Sequence, residues 1–258
     1  MGRCEKIADI TRDKYGRTPL HYAAYCGNVV AVKRLLRSGA NPNAADEIGQ
    51  TPLHMANRFD VATILLKYGA NPNIKTKHDG RTPLHYAAAE GRLAVVGALL
   101  KYGAIVDVKD NYGKTPLYLA TTNAHTDVVS YLLKKGADPN TRDEKWSETP
   151  LHLASYNDEI VIAKLLLRYG ADPNARDVFR RTPLHYARGP EMVALLRKHG
   201  ADVNARDLDG RTPLHYAVYE KNVETVKALL RHGADLAVKD REGKTPMDLA
   251  RAIGIKIA

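Results

Sequence analysis

The chain has 258 residues, 39 Lys and Arg against 29 Asp and Glu, a net charge of +10, and only two cysteines. Two cysteines are too few for a disulfide framework and Met1 to Lys6 has no apolar signal core, so the expectation is two reduced thiols, Cys4 and Cys26, in a cytoplasmic protein. No run of about 18 apolar residues exists, which excludes a membrane-spanning helix, and a single glutamine, Gln50, among many charges leans toward a thermophile source.

In chain order, Ala8-Asp9-Ile10-Thr11-Arg12-Asp13 reads as the tail of a module whose helices are missing. From there the tetrad Thr-Pro-Leu-His, or a near copy, opens at Thr18, Thr51, Thr82, Thr115, Thr149, Thr182, Thr212 and Thr245, at intervals of 33, 31, 33, 34, 33, 30 and 33 residues. A fixed period of this size marks stacked copies of one supersecondary module, not a single globular core. The third module shows the internal logic. Asp79-Gly80 signals a turn, because glycine accepts positive φ at no steric cost. Thr82 is a helix N-cap and Pro83 the first helical residue, where a missing N–H costs nothing. Gly91 stops this short helix. A second helix follows with Leu93, Val95, Val96, Leu99 and Leu100 as its apolar stripe, Lys101 in its last turn and Gly103 at its end.

A helix pair this small cannot bury its own apolar face. Stacking buries it, at about 1.5–3 kcal/mol per apolar side chain removed from water. The Leu doublets 35–36, 65–66, 99–100, 132–133, 166–167, 195–196 and 229–230 are the expected spine. Gly-Arg-Thr-Pro-Leu-His-Tyr-Ala with a downstream Gly-Ala-Asp-Val-Asn-Ala-Arg-Asp resembles an ankyrin repeat, over roughly residues 8–253. The resemblance implies an all-α ankyrin-repeat α-solenoid with protruding fingers. It further implies a concave face of fingertips and first helices that binds other proteins, and tetrad Thr and His side chains that hydrogen-bond between modules. The chain is read as a single ankyrin-repeat domain, 1–258, of about eight modules with incomplete caps at 1–13 and 245–258.

Modules two and six are short: Thr51 to Gly69 and Thr182 to Gly200 each span 18 positions, against 21 from Thr82 to Gly103. The expectation is a compressed inter-helix turn near Phe59 and a break forced by Gly189-Pro190. Modules four apart correspond at 131 or 130 residues, as Tyr25 does to Tyr156, which suggests duplication of a four-module block; growth module by module is the alternative. Module five carries one extra residue and lacks the turn glycine, and the next finger has Arg180 in its place. Trp146 and Phe179 therefore fall on neighbouring fingertips, with Tyr112 on the finger before them, as an interface hot spot would require. Tyr25, Tyr156 and Tyr219 occupy first-helix slots that look concave, where Tyr suits an interface. Module eight runs to Ile257-Ala258 without a full second helix, so Ile7, Ile10, Ile253, Ile255 and Ile257 would form apolar edges that fray or dock end to end with another copy.

Part of the positive charge closes the second helices, at Arg37, Lys67, Lys101, Lys134, Lys135, Arg168, Arg197, Lys198 and Arg231, where it complements the helix dipole and keeps the outer face soluble. A second set precedes the tetrad: Arg17, Arg81, Lys114, Arg181, Arg211 and Lys244. Gly113-Lys114-Thr115 and Gly243-Lys244-Thr245 lack the upstream glycine of a phosphate loop, since positions 108 and 238 are Val. The tetrad histidines His21, His54, His85, His152, His185 and His215 recur singly, without partners at metal-ligand spacing. With no catalytic, cofactor or metal motif, the expected function is a non-catalytic scaffold, monomeric, for a protein or peptide partner with an acidic bias. Its candidate contacts are Tyr15, Tyr25, Ile48, Tyr112, Trp146, Tyr156, Phe179, Arg180, Leu208 and Tyr219. The alternative is a nucleic-acid surface on the fingertip cations.

Overall fold

The computed structural model describes residues 11–254, and all regular structure within them is helical. Each first helix starts where the tetrad places it. Thr18, Thr51, Thr82, Thr115, Thr149, Thr182, Thr212 and Thr245 are extended N-caps, and the proline that follows is the first helical residue every time. The described chain divides into two compact halves, residues 11–137 and 138–254, each holding four modules.

In the first half the modules contribute α1 Pro19–Tyr25 and α2 Val29–Arg37, α3 Pro52–Met55 and α4 Phe59–Lys67, α5 Pro83–Ala89 and α6 Leu93–Lys101, and α7 Pro116–Thr122 and α8 Thr126–Lys134. First helices pack on first helices (α1 on α3, α3 on α5, α5 on α7) and second on second (α2 on α4, α4 on α6, α6 on α8), giving two layers. In the second half α9 Pro150–Tyr156 pairs with α10 Ile160–Arg168, a 3₁₀ turn Pro183–Tyr186 with α11 Pro190–Lys198, and α12 Pro213–Tyr219 with α13 Val223–Arg231; α14 Pro246–Ile253 ends it. The same two-layer packing holds there. The apolar edge residues Ile7, Ile10, Ile255 and Ile257 lie outside the described residues, as does Cys4. Cys26, expected as a reduced thiol, is disulfide-bonded.

The short modules lose their turn from the first helix. In modules two and six it shrinks to four residues, whereas the second helix keeps the nine residues found in every other complete module. Phe59 is thus the first residue of α4, not part of a compressed turn. Pro190 likewise starts α11 instead of breaking a helix, a position its fixed φ favours.

Every Leu doublet contributes to the core, although Leu35, Leu100 and Leu230 are only half-buried. Leu65, Leu66, Leu132, Leu133, Leu166 and Leu167 are buried, but the doublet of module six sits one place early relative to its terminal Gly200. Arg197 therefore occupies the slot that leucine fills in the other modules. It is only partly exposed, its Nε is buried with no hydrogen-bond partner, and its Nη1 donates to the Ala201 carbonyl. This corrects the reading of Arg197 as an outward, solubilising charge.

Adjacent modules are tied by imidazole. The Thr backbone N–H donates to Nδ1 of the tetrad histidine at 3.0 Å in module one and 3.1 Å in module three. The opposite nitrogen, Nε2, donates to a carbonyl of the next module: His21 to Gln50 at 3.0 Å, His54 to Arg81 at 3.2 Å, His85 to Lys114 at 3.1 Å, His152 to Arg181, His185 to Arg211 and His215 to Lys244 at 3.2 Å each. A backbone N–H can only donate and a carbonyl can only accept, so the ring must be the neutral Nε2–H tautomer. In module eight the carboxylate of Asp248 accepts the Thr245 N–H at 3.0 Å in its place. A second ladder runs through asparagine side chains. Asn43 Nδ2 donates to the Gly69 carbonyl at 2.9 Å while its Oδ1 accepts from Asn71 N–H at 2.7 Å, and Asn73, Asn140 and Asn174 do the same to the modules after them.

Two expectations follow. Burial pushes the imidazoles of His54, His85, His152 and His185 down to about 4, and lowers those of His21 and His215. The unfolded chain takes up protons on these rings below about pH 6.5, whereas the folded chain protonates His54, His85, His152 and His185 only near pH 4. Stability is therefore complete above about pH 6.5 and drains as pH falls toward 4. Urea midpoints at pH 7.5, 6 and 5 should decline in that order, and a flat series would contradict the bridge. Arg197→Leu removes a buried unpaired N–H and restores the core residue, so it should raise the unfolding free energy by about 1 kcal/mol; a fall in the urea midpoint would show that the guanidinium is worth more than the leucine.

Candidate functional site

The fingers are built around a buried side chain that the sequence pattern did not single out. Each is closed at its base by backbone pairing, as from Asp46 N–H to Gln50 O at 2.8 Å and from Asp177 N–H to Arg181 O at 3.0 Å. The aspartate carboxylate then turns inward and accepts from the chain around it. Asp46 takes Ile48 N–H at 3.1 Å and Gln50 N–H at 2.8 Å, and Asp177 takes Phe179 and Arg181 N–H, both at 2.8 Å. Asp110, Asp143, Asp207 and Asp240 do likewise, and all six are buried. Burial would raise the Asp240 carboxyl, but the N–H donors of Lys244 and Glu242 hold it below its ordinary value. In the third finger Thr76 takes the slot, its Oγ1 accepting Arg81 N–H at 2.9 Å.

Neighbouring fingertips share one backbone hydrogen bond. In the first half Glu47 N–H reaches Tyr15 O and Lys77 N–H reaches Ile48 O, both at 2.9 Å; in the second, Val178 N–H reaches Trp146 O and Leu208 N–H reaches Phe179 O, both at 2.9 Å. Trp146, Phe179 and Leu208 are thereby locked onto three successive tips. All are exposed, at 40%, 41% and 39%. The Trp146 and Phe179 rings stack at 5.8 Å, with Lys145 Nζ 4.7 Å from the indole and the Arg181 guanidinium 4.7 Å from the phenyl ring. Trp146 thus packs against the next finger through Phe179 as well as under Lys145 of its own.

The remaining candidates are exposed but scattered. Tyr15, Ile48 and Tyr112 are on tips of the first half, and Tyr25 ends α1. Tyr219 ends α12 and is 77% exposed. Tyr156 ends α9 and packs laterally, edge-on to Tyr186 at 6.3 Å and under the Arg188 guanidinium at 4.0 Å. Tyr186, Glu148 and Arg188 were not anticipated. The Tyr186 hydroxyl donates to Asp177 at 2.7 Å or Glu148 at 2.9 Å; burial, then the hydrogen bond to Asp177, raises its pKa, and burial raises that of Glu148. The available signal was the Tyr after the tetrad histidine, which also links Tyr216 to Asp207 at 2.7 Å and Tyr86 to Asp79 at 3.3 Å.

The cations before the tetrad are mostly paired. Arg17 Nε lies 3.2 Å from Asp46, Arg81 Nε 3.1 Å from Asp110, Arg181 Nε 2.8 Å from Asp177, Arg211 Nε 3.6 Å from Asp240 and Lys244 Nζ 2.8 Å from Glu242, while Lys114 Nζ sits 5.3 Å from the Tyr118 ring. Among the described residues no cluster of His, Cys, Asp and Glu could hold a metal ion, and no helix is long and apolar enough to cross a membrane.

Arg180 and Ser147 hold φ of +62° and +54° in slots that glycine fills at +84° in Gly49 and +73° in Gly210. A side chain in this left-handed region costs on the order of 1 kcal/mol. Arg180→Gly should therefore raise the unfolding free energy by about 1 kcal/mol in urea melts, and no gain would mean that the finger absorbs the strain.

Comparison with known proteins agrees with this architecture. The family described as ankyrin repeats (3 copies) matches residues 4–76, 57–143 and 141–207, and that described as ankyrin repeats (many copies) matches 196–250. Cyclin-dependent kinase 4 inhibitor B of Rattus norvegicus is 41% identical over 93 residues, 35% of this chain and 72% of the relative. The Neurogenic locus Notch protein of Drosophila melanogaster is 47% identical over 90 residues, 34% of this chain and 3% of the relative. A putative ankyrin repeat protein of Fowlpox virus is 35% identical over 103 residues, 39% of this chain and 23% of the relative. The chain thus spans less than a quarter of the Notch and Fowlpox virus relatives. With family matches running from residue 4 to residue 250 and the module architecture present in both halves, the chain belongs to the ankyrin-repeat family.

Proposed function

We propose that this chain is a non-catalytic scaffold that binds a protein or peptide partner on its fingers and first helices, acting as a cytoplasmic monomer without a cofactor. The observation that carries the reading is the run of Trp146, Phe179 and Leu208 on three tips of the second half, each large, apolar and about two-fifths exposed, and each held in place by backbone hydrogen bonds. Rigid aromatic groups presented to solvent are what interface anchors consist of. Arg180 beside Phe179, and Tyr156 and Tyr219 on the first helices, extend the same surface toward a partner with some acidic character. A relative named as an inhibitor of cyclin-dependent kinase 4 acts on another protein, in line with this reading.

The fingertip cations would serve a nucleic-acid surface less well. Five of the six before the tetrad already face carboxylates, which reduces the charge they can offer to phosphate. The test is affinity. Once a partner is identified by capture on the wild-type chain, Trp146→Ala should weaken it by about 2 kcal/mol, roughly thirtyfold, and Phe179→Ala by a comparable amount. Unchanged affinity in both variants would remove the finger surface from the contact, and tight, steeply salt-dependent binding of duplex DNA would favour the other reading.

A further inference from the structure

We propose that the first half has a second docking site, on its second-helix face: a groove between α2 and α4 that takes an acidic polypeptide segment bearing aromatic side chains. The groove encloses about 390 Å³. Its apolar centre is the phenyl ring of Phe59. Arg58 is the N-cap of α4, and Phe59 stands at the first helical position, 55% exposed. Val29 lines the other wall, and Tyr68 closes the far end, 45% exposed. Exposed apolar groups rimmed by charge are a recurrent mark of an interaction surface.

The charge around this centre is uncompensated. Lys33, Arg37 and Lys67 line the groove, and none of them is in an ion pair among the described residues. The one carboxylate in the lining, Asp60, is already bonded to Arg58 at 2.8 and 3.1 Å. Thr63 also lines the groove, its Oγ1 buried beneath the surface without a hydrogen-bond partner. The half that holds the groove also holds most of the excess charge: residues 1–137 carry 19 Lys and Arg against 11 Asp and Glu, and residues 138–258 carry 20 against 18.

The corresponding place in the second half has the same backbone and different chemistry. At a spacing of 131 residues Phe59 becomes Pro190, Thr63 becomes Ala194 and Asp60 becomes Glu191; Lys33 becomes Lys164, which is neutralised by that Glu191 at 2.9 Å. Arg168 and Lys198 stand where Arg37 and Lys67 do, so the halves differ at Lys33, which keeps its charge where Lys164 is paired, and at the phenyl ring. Free cations around an exposed phenyl ring fit carboxylates flanking an aromatic side chain, whereas a phosphate backbone would leave the ring unused. Two nine-residue helices give a groove on the order of 13 Å long, enough for a short segment.

The chain has two phenylalanines, Phe59 and Phe179, one in this groove and one on the finger surface. Biosynthetic replacement of both by 4-fluorophenylalanine gives a ¹⁹F spectrum in which each site reports separately. Titration with a random Glu-Tyr copolymer at low salt should move the Phe59 resonance saturably, and polyglutamate should act more weakly. Lys33→Glu with Lys67→Glu should weaken the response at least tenfold, with an unshifted Phe179 line confirming the fold, and Lys164→Gln should leave it unchanged. A Phe59 resonance that does not move, that moves equally in the charge-reversed variant, or that responds only to phosphatidylserine vesicles would overturn the proposal. A response confined to Phe179 would overturn it too, while leaving the finger surface standing.

Discussion

The neutral imidazole of the tetrad is the constraint on which the rest depends. It closes the N-terminus of its own first helix through Nδ1 and reaches the next module through Nε2–H, so one ring completes two pieces of backbone that burial would otherwise leave unsatisfied. The asparagine ladder does the same for the loops that end the second helices. A module alone would expose its Leu and Ala face and leave these donors and acceptors to water. Within each half the modules are therefore parts of a stack and not small domains, and cohesion is shared between apolar packing and polar groups that point across each junction.

Helix starts were legible in the residues because a threonine followed by proline has few other uses: an N-cap side chain and a pre-set φ act locally, whatever surrounds them. Fingertips were legible for the same reason, as sites needing positive φ. The exposure of Trp146, Phe179 and Leu208 followed from their place on those tips. What pattern alone could not reach was anything set by the partner of a side chain. The finger aspartates look like turn residues in the sequence, yet their carboxylates are buried knots. Arg197 looks like one more basic residue at a helix end, yet the one-place shift of its Leu doublet turns it inward. Phe59 looked like turn material because a count of residues says that a turn is missing but not from which side; nine residues of second helix were kept and the first helix gave way.

Charge follows the same division. The cations that seem to form a ladder before the tetrads are largely consumed in holding fingers together, against buried aspartates of their own or the next finger. Cations with no ion pair among the described residues lie elsewhere, on the second helices of both halves, Lys33, Arg37 and Lys67 in the first and Arg168 and Lys198 in the second. Net charge is therefore a poor guide to where a partner would meet this chain. Which side chains are already engaged is the better one.

The most direct test of the central claim is the protonation state of the tetrad histidines in the folded chain, read from ¹⁵N imidazole chemical shifts as a function of pH. His54, His85, His152 and His185 should remain neutral Nε2–H tautomers from pH 7.5 down to about 5 and take up a proton only near 4, where burial places them. Titration of these four rings near pH 6.5 with the fold intact, or a predominance of the Nδ1–H tautomer, would contradict the account.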